Sequence, residues 1–323
     1  MTKQMIASIA CGLCVAGCST SRAEPSPNVR APAGKAVVYK KANGIKRAME
    51  MYYRDALDKI ENTTTVKPQN MEVYYPPNWD PAKKVPGLLL FHGGGWSGGH
   101  RSQFRYVCDY FAKRGLVTIT ADYATHTAES LNLLPRNVSR KRICVTDAKS
   151  AIRWVKTHAD ELGIDPDRLI SGGCSAGGHI AVLATVNKTG LNDPDDPQDV
   201  DADVAAYMLF SSAFFVPGRD RDDQVDVFAH DLKNMPPTIF FDGEKDGWKH
   251  ASDMLFNKLH ALGIKTEKWV APGVGHNFWL GKPWLNQTVI KADRFLTELG
   301  LLDGEPIIEP ITSNGEISRQ EPK

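Results

Sequence analysis

The chain has little net charge, little cysteine and no long apolar segment. Its 323 residues include 39 basic and 38 acidic side chains, which give a formal net charge of +1. No overall field therefore favours nucleic acid or an anionic surface, and we expect no nucleic-acid partner. Only six residues are cysteine, and no His, Cys or Asp cluster has metal-ligand spacing, so we expect no metal and no cofactor. The apolar run at 5–17 is too short to span a bilayer as a mature helix.

The start of the chain has the pattern of a targeting segment. After a short basic start, the apolar run ends in Val15-Ala16-Gly17-Cys18, which resembles a bacterial lipobox. The resemblance implies that Cys18 is lipidated and that the protein is an exported lipoprotein, periplasmic or outer-membrane-anchored, which meets the membrane through its lipid anchor only. An ordinary signal peptide with a chance cysteine, or a short anchor, is the alternative.

These features divide the chain into four parts. The expected boundaries are a signal peptide at 1–18, a flexible tether rich in Pro, Ser and Ala at 19–35, one folded domain at 36–302 and a C-terminal tail at 303–323. Residues 41–70 are ambiguous between a peripheral insertion and a first hairpin.

Three cysteines remain beyond the signal and Cys18. A bridge between Cys108 and Cys144 is conceivable in an exported chain, but the sequence does not establish it. Cys174 is expected to be buried as a small apolar residue.

Apolar β-rich runs alternate with helical patterns along the chain. This order predicts an α/β fold with a mostly parallel central sheet and helices on both faces. Ligands of such sheets bind at the carboxyl ends of the strands. The predicted strands start at Met71, Gly87, Leu116, Arg168, Ala205, Pro237 and Lys265.

A serine lies among glycines where the fourth of these strands ends. Gly173-Cys174-Ser175-Ala176-Gly177 matches G-x-S-x-G, and it follows a predicted strand and opens a predicted helix. That context is typical of a nucleophile elbow, which exposes the serine hydroxyl on a strained turn. A phosphate-binding turn is the alternative, but neither a P-loop lysine nor G-x-G-x-x-G is present.

A second glycine motif follows the strand that starts at Gly87. His92-Gly93-Gly94-Gly95-Trp96 matches the HGGG oxyanion-loop motif. We assign the oxyanion hole to the N–H groups of Gly94, Gly95 and Ala176, and expect His92 to brace the loop. Trp96 is either a wall of the substrate pocket or part of the core.

The base and the acid of a triad must follow the serine in the order acid, then histidine. His276 lies in a Gly-flanked loop after the last strand, whereas His250 and His260 belong to a helix. The acid is chosen from Asp242, Glu244 and Asp246, which follow the preceding strand. We choose Asp246, because Asp242 still belongs to the strand end.

The chain therefore resembles the α/β-hydrolase esterases, in particular the group with acetyl xylan and feruloyl esterases and the hormone-sensitive-lipase-like enzymes. Segments such as LLLFHGGGWSGG, GIDPDRLISGGCSAGGHIA and GVGHNF carry the resemblance between about Tyr74 and Phe278. It implies a minimal cap and a Ser175-His276-Asp246 triad. The chain departs from the group at Asp122-Tyr123-Ala124 and in the longer segment at 124–143.

The substrate is predicted less directly. Residues 218–226 are strongly polar and no large apolar lid is evident. We therefore expect removal of acetyl or other short acyl groups from carbohydrate, with a small-molecule or oligosaccharide ester as the substrate. The acidic run at 191–203 is expected to be a solvated loop rather than a cation site. Open alternatives are a lipase or carboxylesterase on non-carbohydrate esters, a peptidase or arylformamidase on the same triad, and a catalytically silent envelope lipoprotein that only binds.

Overall fold

A computed structural model describes residues 34–40, 69–125, 139–312 and 315–323. In these parts of the chain nine strands form one sheet, in the order β1-β2-β4-β3-β5-β6-β7-β8-β9. The six central strands, β4-β3-β5-β6-β7-β8, run parallel to one another. At the edges, β1 pairs antiparallel with β2, β2 with β4, and β9 with β8. This confirms the predicted mostly parallel sheet. The strands are β1 Lys35–Lys40, β2 Gln69–Tyr74, β3 Val85–Phe91, β4 Val117–Ala121, β5 Ile164–Cys174, β6 Ala206–Phe210, β7 Thr238–Gly243, β8 Thr266–Ala271 and β9 Ser318–Arg319.

Helices cover both faces of the sheet, because each crossover between parallel strands must return over one face. Helices α2, α4 and α5 pack on one face, and α1 and α6 pack on the other. The helices are α1 Arg105–Lys113, α2 Lys141–Thr157, the single turn α3 Ala159–Leu162, α4 Ala176–Val186, α5 Lys249–Ala261 and α6 Trp284–Glu298. None of the helices in the described ranges has the length and apolar character needed to cross a membrane.

Strand β3 shows how the sequence encodes this three-layer arrangement. Leu89 and Phe91 belong to the core under α2, α4 and α5, whereas Leu88 and Leu90 belong to the core under α1 and α6. Side chains of a strand alternate between the two faces, so a strand covered on both sides needs an unbroken apolar run. The strand therefore ends at the first polar residue, His92, at the edge where the glycine loop begins.

The same layering decides the state of the cysteines. Cys108 on α1 and Cys144 on α2 lie in the cores on opposite faces of the sheet, and both are free thiols. They do not form the conceivable bridge, because the sheet separates them. Cys174 is free and buried, as expected.

The carboxyl-terminal segment contributes to the sheet. Strand β9 pairs with β8 through Trp269–Arg319 and Val270–Ser318, and Ile317 is buried beside it. The expected tail at 303–323 thus ends as an edge strand. The proposed lipidation residue Cys18, the ambiguous segment up to residue 68 and most of the unusual segment at 124–143 lie outside the described residues.

The acidic run at 191–203 is not simply a solvated loop. Asp193 is buried and pairs with Lys40 at 2.8 Å, and Asp196 accepts a hydrogen bond from Ser150 at 2.8 Å. Lys40 also pairs with Asp147 of α2 at 2.6 Å. The expectation of a solvated loop is therefore wrong for these carboxylates, which fasten the loop to β1 and α2. No group of three or more His, Cys, Asp or Glu side chains in the described part of the chain is arranged to hold a metal ion.

Candidate active site

Ser175 lies on a sharp turn between β5 and α4. Its backbone has φ 52° and ψ −122°, a region that a residue with a side chain adopts only when its surroundings force it. The surroundings do so through four backbone hydrogen bonds. The Ser175 N–H donates to the carbonyls of Phe210 and Ser211 at 3.0 and 3.1 Å, and its carbonyl accepts from the N–H groups of Ala213 and His179 at 2.9 and 3.3 Å. The end of β6 therefore holds the turn in place.

The glycines around Ser175 allow the turn to pack directly on the end of β3. A Cβ at Gly177 would lie 2.0 Å from the carbonyl oxygen of Phe91 and 2.5 Å from that of His92. A Cβ at Gly173 would lie 2.4 Å from the same Phe91 oxygen. These distances are too short for any side chain, so close contact between the elbow and β3 requires glycine at both positions.

His276 joins Ser175 to Asp246. Its Nε2 lies 2.9 Å from Ser175 Oγ, and its Nδ1 lies 2.9 Å from Asp246 Oδ2. A carboxylate only accepts, so the Nδ1–H donates to Asp246 and Nε2 is left to accept from the serine hydroxyl. The structure thus brings together the three residues that the sequence nominates, from the turn after β5, the loop after β7 and the loop after β8.

Asp246 is held as a buried anion. Burial raises the pKa of its carboxyl, but hydrogen bonds from His276 and from the Trp248 N–H at 2.9 Å, with the charge of His276, leave that pKa below its usual range. The other two candidate acids face elsewhere. Asp242 pairs with Lys268 at 2.6 Å, and Glu244 accepts from the Gly273 N–H at 2.6 Å.

The glycine loop after β3 passes beside the serine. A Cβ on Gly93 would lie 3.1 Å from Ser175 Cβ. The loop turns through positive φ at Gly94 (134°), Gly95 (62°) and Trp96 (59°). Gly93 donates its N–H to Gln103 Oε1 at 2.7 Å, whereas no hydrogen bond between described residues engages the N–H groups of Gly94 and Gly95.

Ala176 supplies the third donor of the predicted oxyanion hole. It is the first residue of α4, so its N–H has no partner within the helix. The positive end of the α4 dipole lies at the same point, where it favours developing negative charge.

His92 braces the glycine loop rather than facing the serine. Its Nδ1 donates to the Gly93 carbonyl at 2.8 Å, and its ring stacks on Tyr123 at 4.4 Å. The Tyr123 hydroxyl donates to the His92 carbonyl at 3.0 Å. The two remaining candidate bases, His250 and His260, are exposed on α5.

Trp96 is packed into an aromatic cluster and is only 5% exposed. Its ring stacks on Phe215 at 5.8 Å and lies 6.4 Å from Trp248, and Lys141 Nζ lies 4.7 Å from its centre. Of the two roles left open for Trp96, its burial favours the core. Phe215 and Trp248 are only half-buried, and neither belongs to a motif of the sequence.

His179 is a further residue that the motifs did not single out. The Trp96 Nε1–H donates to its Nδ1 at 3.3 Å, and its Nε2–H donates to the Val225 carbonyl at 3.0 Å. Burial, together with the charge of Lys141, lowers its pKa to about 3, so it is neutral and ties α4 to the glycine loop. Its position one helical turn after Ser175 was a usable signal, because residues four apart share a helix face.

Comparison with known proteins identifies relatives of this chain. The family model described as BD-FAE matches residues 71–213. Esterase 2 of Thermogutta terrifontis, solved after phosphorylation by paraoxon, is 30% identical with a TM-score of 0.69, and the alignment covers 85% of this chain and 98% of that one. The chain belongs to the α/β-hydrolase serine esterases. The predicted family and the predicted class, carboxylic ester hydrolase, are thereby confirmed.

Two further relatives are similar over shorter stretches. Esterase LipC of Mycobacterium tuberculosis is 33% identical over 233 residues, which are 61% of this chain and 54% of LipC. The probable carboxylic ester hydrolase LipM of the same organism is 30% identical over 193 residues, which are 57% of this chain and 41% of LipM. The chain thus spans about half the length of these two relatives.

Proposed function

We propose that the protein hydrolyses short-chain acyl esters through Ser175, His276 and Asp246. The observation that carries the proposal is the position of His276, which bonds to Ser175 Oγ and to Asp246 Oδ2 at 2.9 Å each. A serine hydroxyl needs such a base to become a nucleophile, and the base needs a third group to fix its tautomer.

The reaction follows from these contacts. Ser175 Oγ forms a bond to the ester carbonyl carbon while its proton passes to His276 Nε2, and Asp246 stabilises the imidazolium. The carbonyl oxygen becomes an oxyanion opposite the N–H groups of Gly94, Gly95 and Ala176. One such donor contributes roughly 3 kcal/mol to the stability of the transition state.

Three further proton transfers complete the cycle. The imidazolium returns its proton to the departing alkoxide as the carbon–oxygen bond to the alcohol breaks, which leaves an acyl group on Ser175. Water, deprotonated by His276, then attacks this acyl carbon, and the proton is returned to Ser175 as the carboxylic acid leaves.

A short acyl group is supported by the related Thermogutta esterase 2, whose structures are described with propionate bound and with butyrate bound. The half-buried Phe215 and Trp248 give the neighbourhood of the serine an apolar side suited to small acyl groups.

Carbohydrate is the alcohol part that we propose. Residues 217–221, which follow the aromatic cluster, are Pro-Gly-Arg-Asp-Arg, and Arg219 and Arg221 are exposed. The segment contains none of the exposed large apolar side chains of the described residues, which are Val38, Trp79, Leu262, Leu280 and Ile307. A polar rim suits a hydroxyl-rich alcohol better than a lipid. With the lipobox at Cys18, we propose an exported lipoprotein that deacylates oligosaccharides outside the cytoplasm.

The test is turnover of 4-nitrophenyl esters from acetate to octanoate by the full-length chain, beside acetylated xylo-oligosaccharides and tributyrin. We expect the highest kcat/KM for acetate to butyrate, release of acetate from the oligosaccharides, and loss of activity in Ser175→Ala. Ser171→Ala is the matched control, because Ser171 is a buried serine of the same strand whose hydroxyl has no hydrogen-bond partner among the described residues.

Different outcomes reject different parts of the proposal. Paraoxon should add one diethylphosphoryl group to wild type and Ser171→Ala but not to Ser175→Ala, and equal labelling of all three would reject Ser175 as the nucleophile. Preference for tributyrin over the oligosaccharides would reject carbohydrate alone and favour the lipase alternative.

A further inference from the structure

Three cations stand in a row where α2 begins: Arg140, Lys141 and Arg142. The start of a helix carries partial positive charge and favours anions, so this arrangement needs compensation. The helix begins beside the glycine loop, since Arg140 contacts Gly95 and Lys141 Nζ lies over the Trp96 ring. The charges of these side chains therefore act close to the serine.

Two of the three cations are neutralised within the protein. Lys141 pairs with Asp220, and Arg142 binds Asp222 in a bidentate manner, with Nε–Oδ2 and Nη2–Oδ1 both at 2.8 Å. Both carboxylates come from the segment after β6. Lys141 and Arg142 thus hold that segment against α2.

Arg140 differs from its neighbours. No carboxylate of the described residues lies within 4.0 Å of its guanidinium, and its one hydrogen bond among them runs from Nη2 to the Gly95 carbonyl at 3.1 Å. A guanidinium carries five N–H donors in a planar fork. After the bond to Gly95, no other described residue binds the remaining donors or pairs with the positive charge, which lie next to the predicted oxyanion hole.

The other charged groups near the site do not cancel this charge. The Asp246 side chain is fully buried against His276, and Asp220 and Asp222 are committed to Lys141 and Arg142. Arg219 and Arg221, which flank Asp220, are exposed and add positive charge, and the exposed Asp223 of the same segment offsets only one of them. The described residues of the rim on the α2 side are therefore cationic in sum, although the whole chain carries a net charge of only +1.

We propose that Arg140 binds a carboxylate on the substrate and makes this esterase selective for anionic esters. The inference rests on the proposed function and narrows its substrate class. The planar fork of arginine matches a carboxylate in two parallel hydrogen bonds. The carboxylate belongs either to the alcohol part, as in an acylated uronic acid, or to the acyl part, as in a dicarboxylic acid monoester.

Two matched substrate pairs distinguish these sources. For the acyl part, mono-4-nitrophenyl glutarate is compared with 4-nitrophenyl butyrate. For the alcohol part, 4-acetoxybenzoate is compared with its methyl ester. The measured quantity is the ratio of kcat/KM for the anionic ester to that for the neutral ester, in wild type, Arg140→Gln and Arg168→Gln.

Arg168→Gln is the matched control, because Arg168 is, like Arg140, a half-buried arginine with a single side-chain bond to a backbone carbonyl, that of Gly300 at 2.7 Å. It lies in β5, seven residues before Ser175. In Arg140→Gln we expect the ratio for one pair to fall about tenfold or more, as for loss of a charged hydrogen bond. In wild type we expect the same ratio to decrease with added salt. Arg168→Gln should keep the wild-type ratio.

Unchanged ratios for both pairs in Arg140→Gln would overturn the proposal. An equal loss on the charged and neutral members of each pair would also overturn it, since Arg140 would then only support Gly95. Binding of 4-acetoxybenzoate and its methyl ester to Ser175→Ala, with and without Arg140→Gln, tests recognition of the alcohol-side carboxylate without chemistry. Failure of wild type to hydrolyse any of the four esters, charged or neutral, would reject the proposed function. The binding ratios would then still decide whether Arg140 binds that carboxylate.

Discussion

Replacing Asp246 by Asn is the sharpest test of the triad, because the amide keeps the size of the side chain and removes its charge. Asp246 Oδ2 accepts the Nδ1–H of His276 at 2.9 Å, and Oδ1 accepts the Trp248 N–H at 2.9 Å. An amide that turns its NH₂ towards His276 forces the proton onto Nε2. That nitrogen can then no longer accept the proton of Ser175.

The expected loss is large. In a triad of this kind, the wrong tautomer and the missing charge lower kcat by about 10⁴-fold, which corresponds to roughly 5.5 kcal/mol of transition-state stabilisation. The assay is hydrolysis of 4-nitrophenyl acetate across pH 5 to 9, normalised to folded protein by circular dichroism. We expect the loss in kcat, with KM changed much less.

Asp242→Asn is the matched control, since Asp242 is the alternative acid four residues earlier. It pairs with Lys268 at 2.6 Å, and both side chains are at most 1% exposed. Removing one partner of a buried pair costs about 3–5 kcal/mol, and we expect the lower end because Lys268 keeps Asp253 at 2.9 Å. The variant should lose stability in urea but keep the kcat of its folded fraction. The reasoning fails if Asp246→Asn retains a tenth of wild-type kcat, or if Asp242→Asn loses kcat as severely.

Two further predictions concern the supports of the site. Gly177→Ala places a Cβ 2.0 Å from the Phe91 carbonyl, so we expect a loss of about 1–3 kcal/mol in the free energy of unfolding and a lower kcat. Gly281→Ala, where nothing lies within 4 Å, should do neither, and equal unfolding curves for the two variants would contradict the steric argument. The pKa of His179 is lowered to about 3 from 6.5, so the stability it provides as a neutral ring is present above pH 6.5 and is lost as the pH falls towards 3, by about 1.4 kcal/mol per unit. In urea unfolding, the stability advantage of wild type over His179→Gln should shrink from pH 6.5 to pH 4.5, and a constant difference would count against the neutral buried ring.

Much of the site depends on residues that are close together in the chain, and those parts can be predicted from the sequence. Ser175 and Gly94 belong to motifs in which glycine is required locally. The backbone there either turns through positive φ or packs on another backbone segment without room for a Cβ. His276 was found by its order in the chain and its loop after the last strand. Such signals need no knowledge of distant residues.

Other parts depend on contacts between segments far apart in the chain. The role of His179 requires Trp96 and Val225 to meet it from two other loops, and periodicity alone marks it only as a helix face. The acidic run was misread because Lys40 lies about 150 positions before Asp193 in sequence but 2.8 Å away in space. Composition alone predicts that such an acidic run is solvated, because the cations that pair with its carboxylates are brought there only by the fold.

By itself the sequence determined the family, the sheet with helices on both faces, and the serine and histidine, because apolar periodicity and glycine placement are local consequences of backbone geometry. Only the tertiary structure decided that Cys108 and Cys144 lie on opposite sides of the sheet, and that Arg140 is left without a carboxylate partner among the described residues. It also places Asp246, the acid selected from the sequence, against His276 and pairs Asp242 with Lys268 instead. The physical reason is the same in each case. Charge pairing and distance are set by which segments the sheet brings together, and neighbours in the chain do not reveal them.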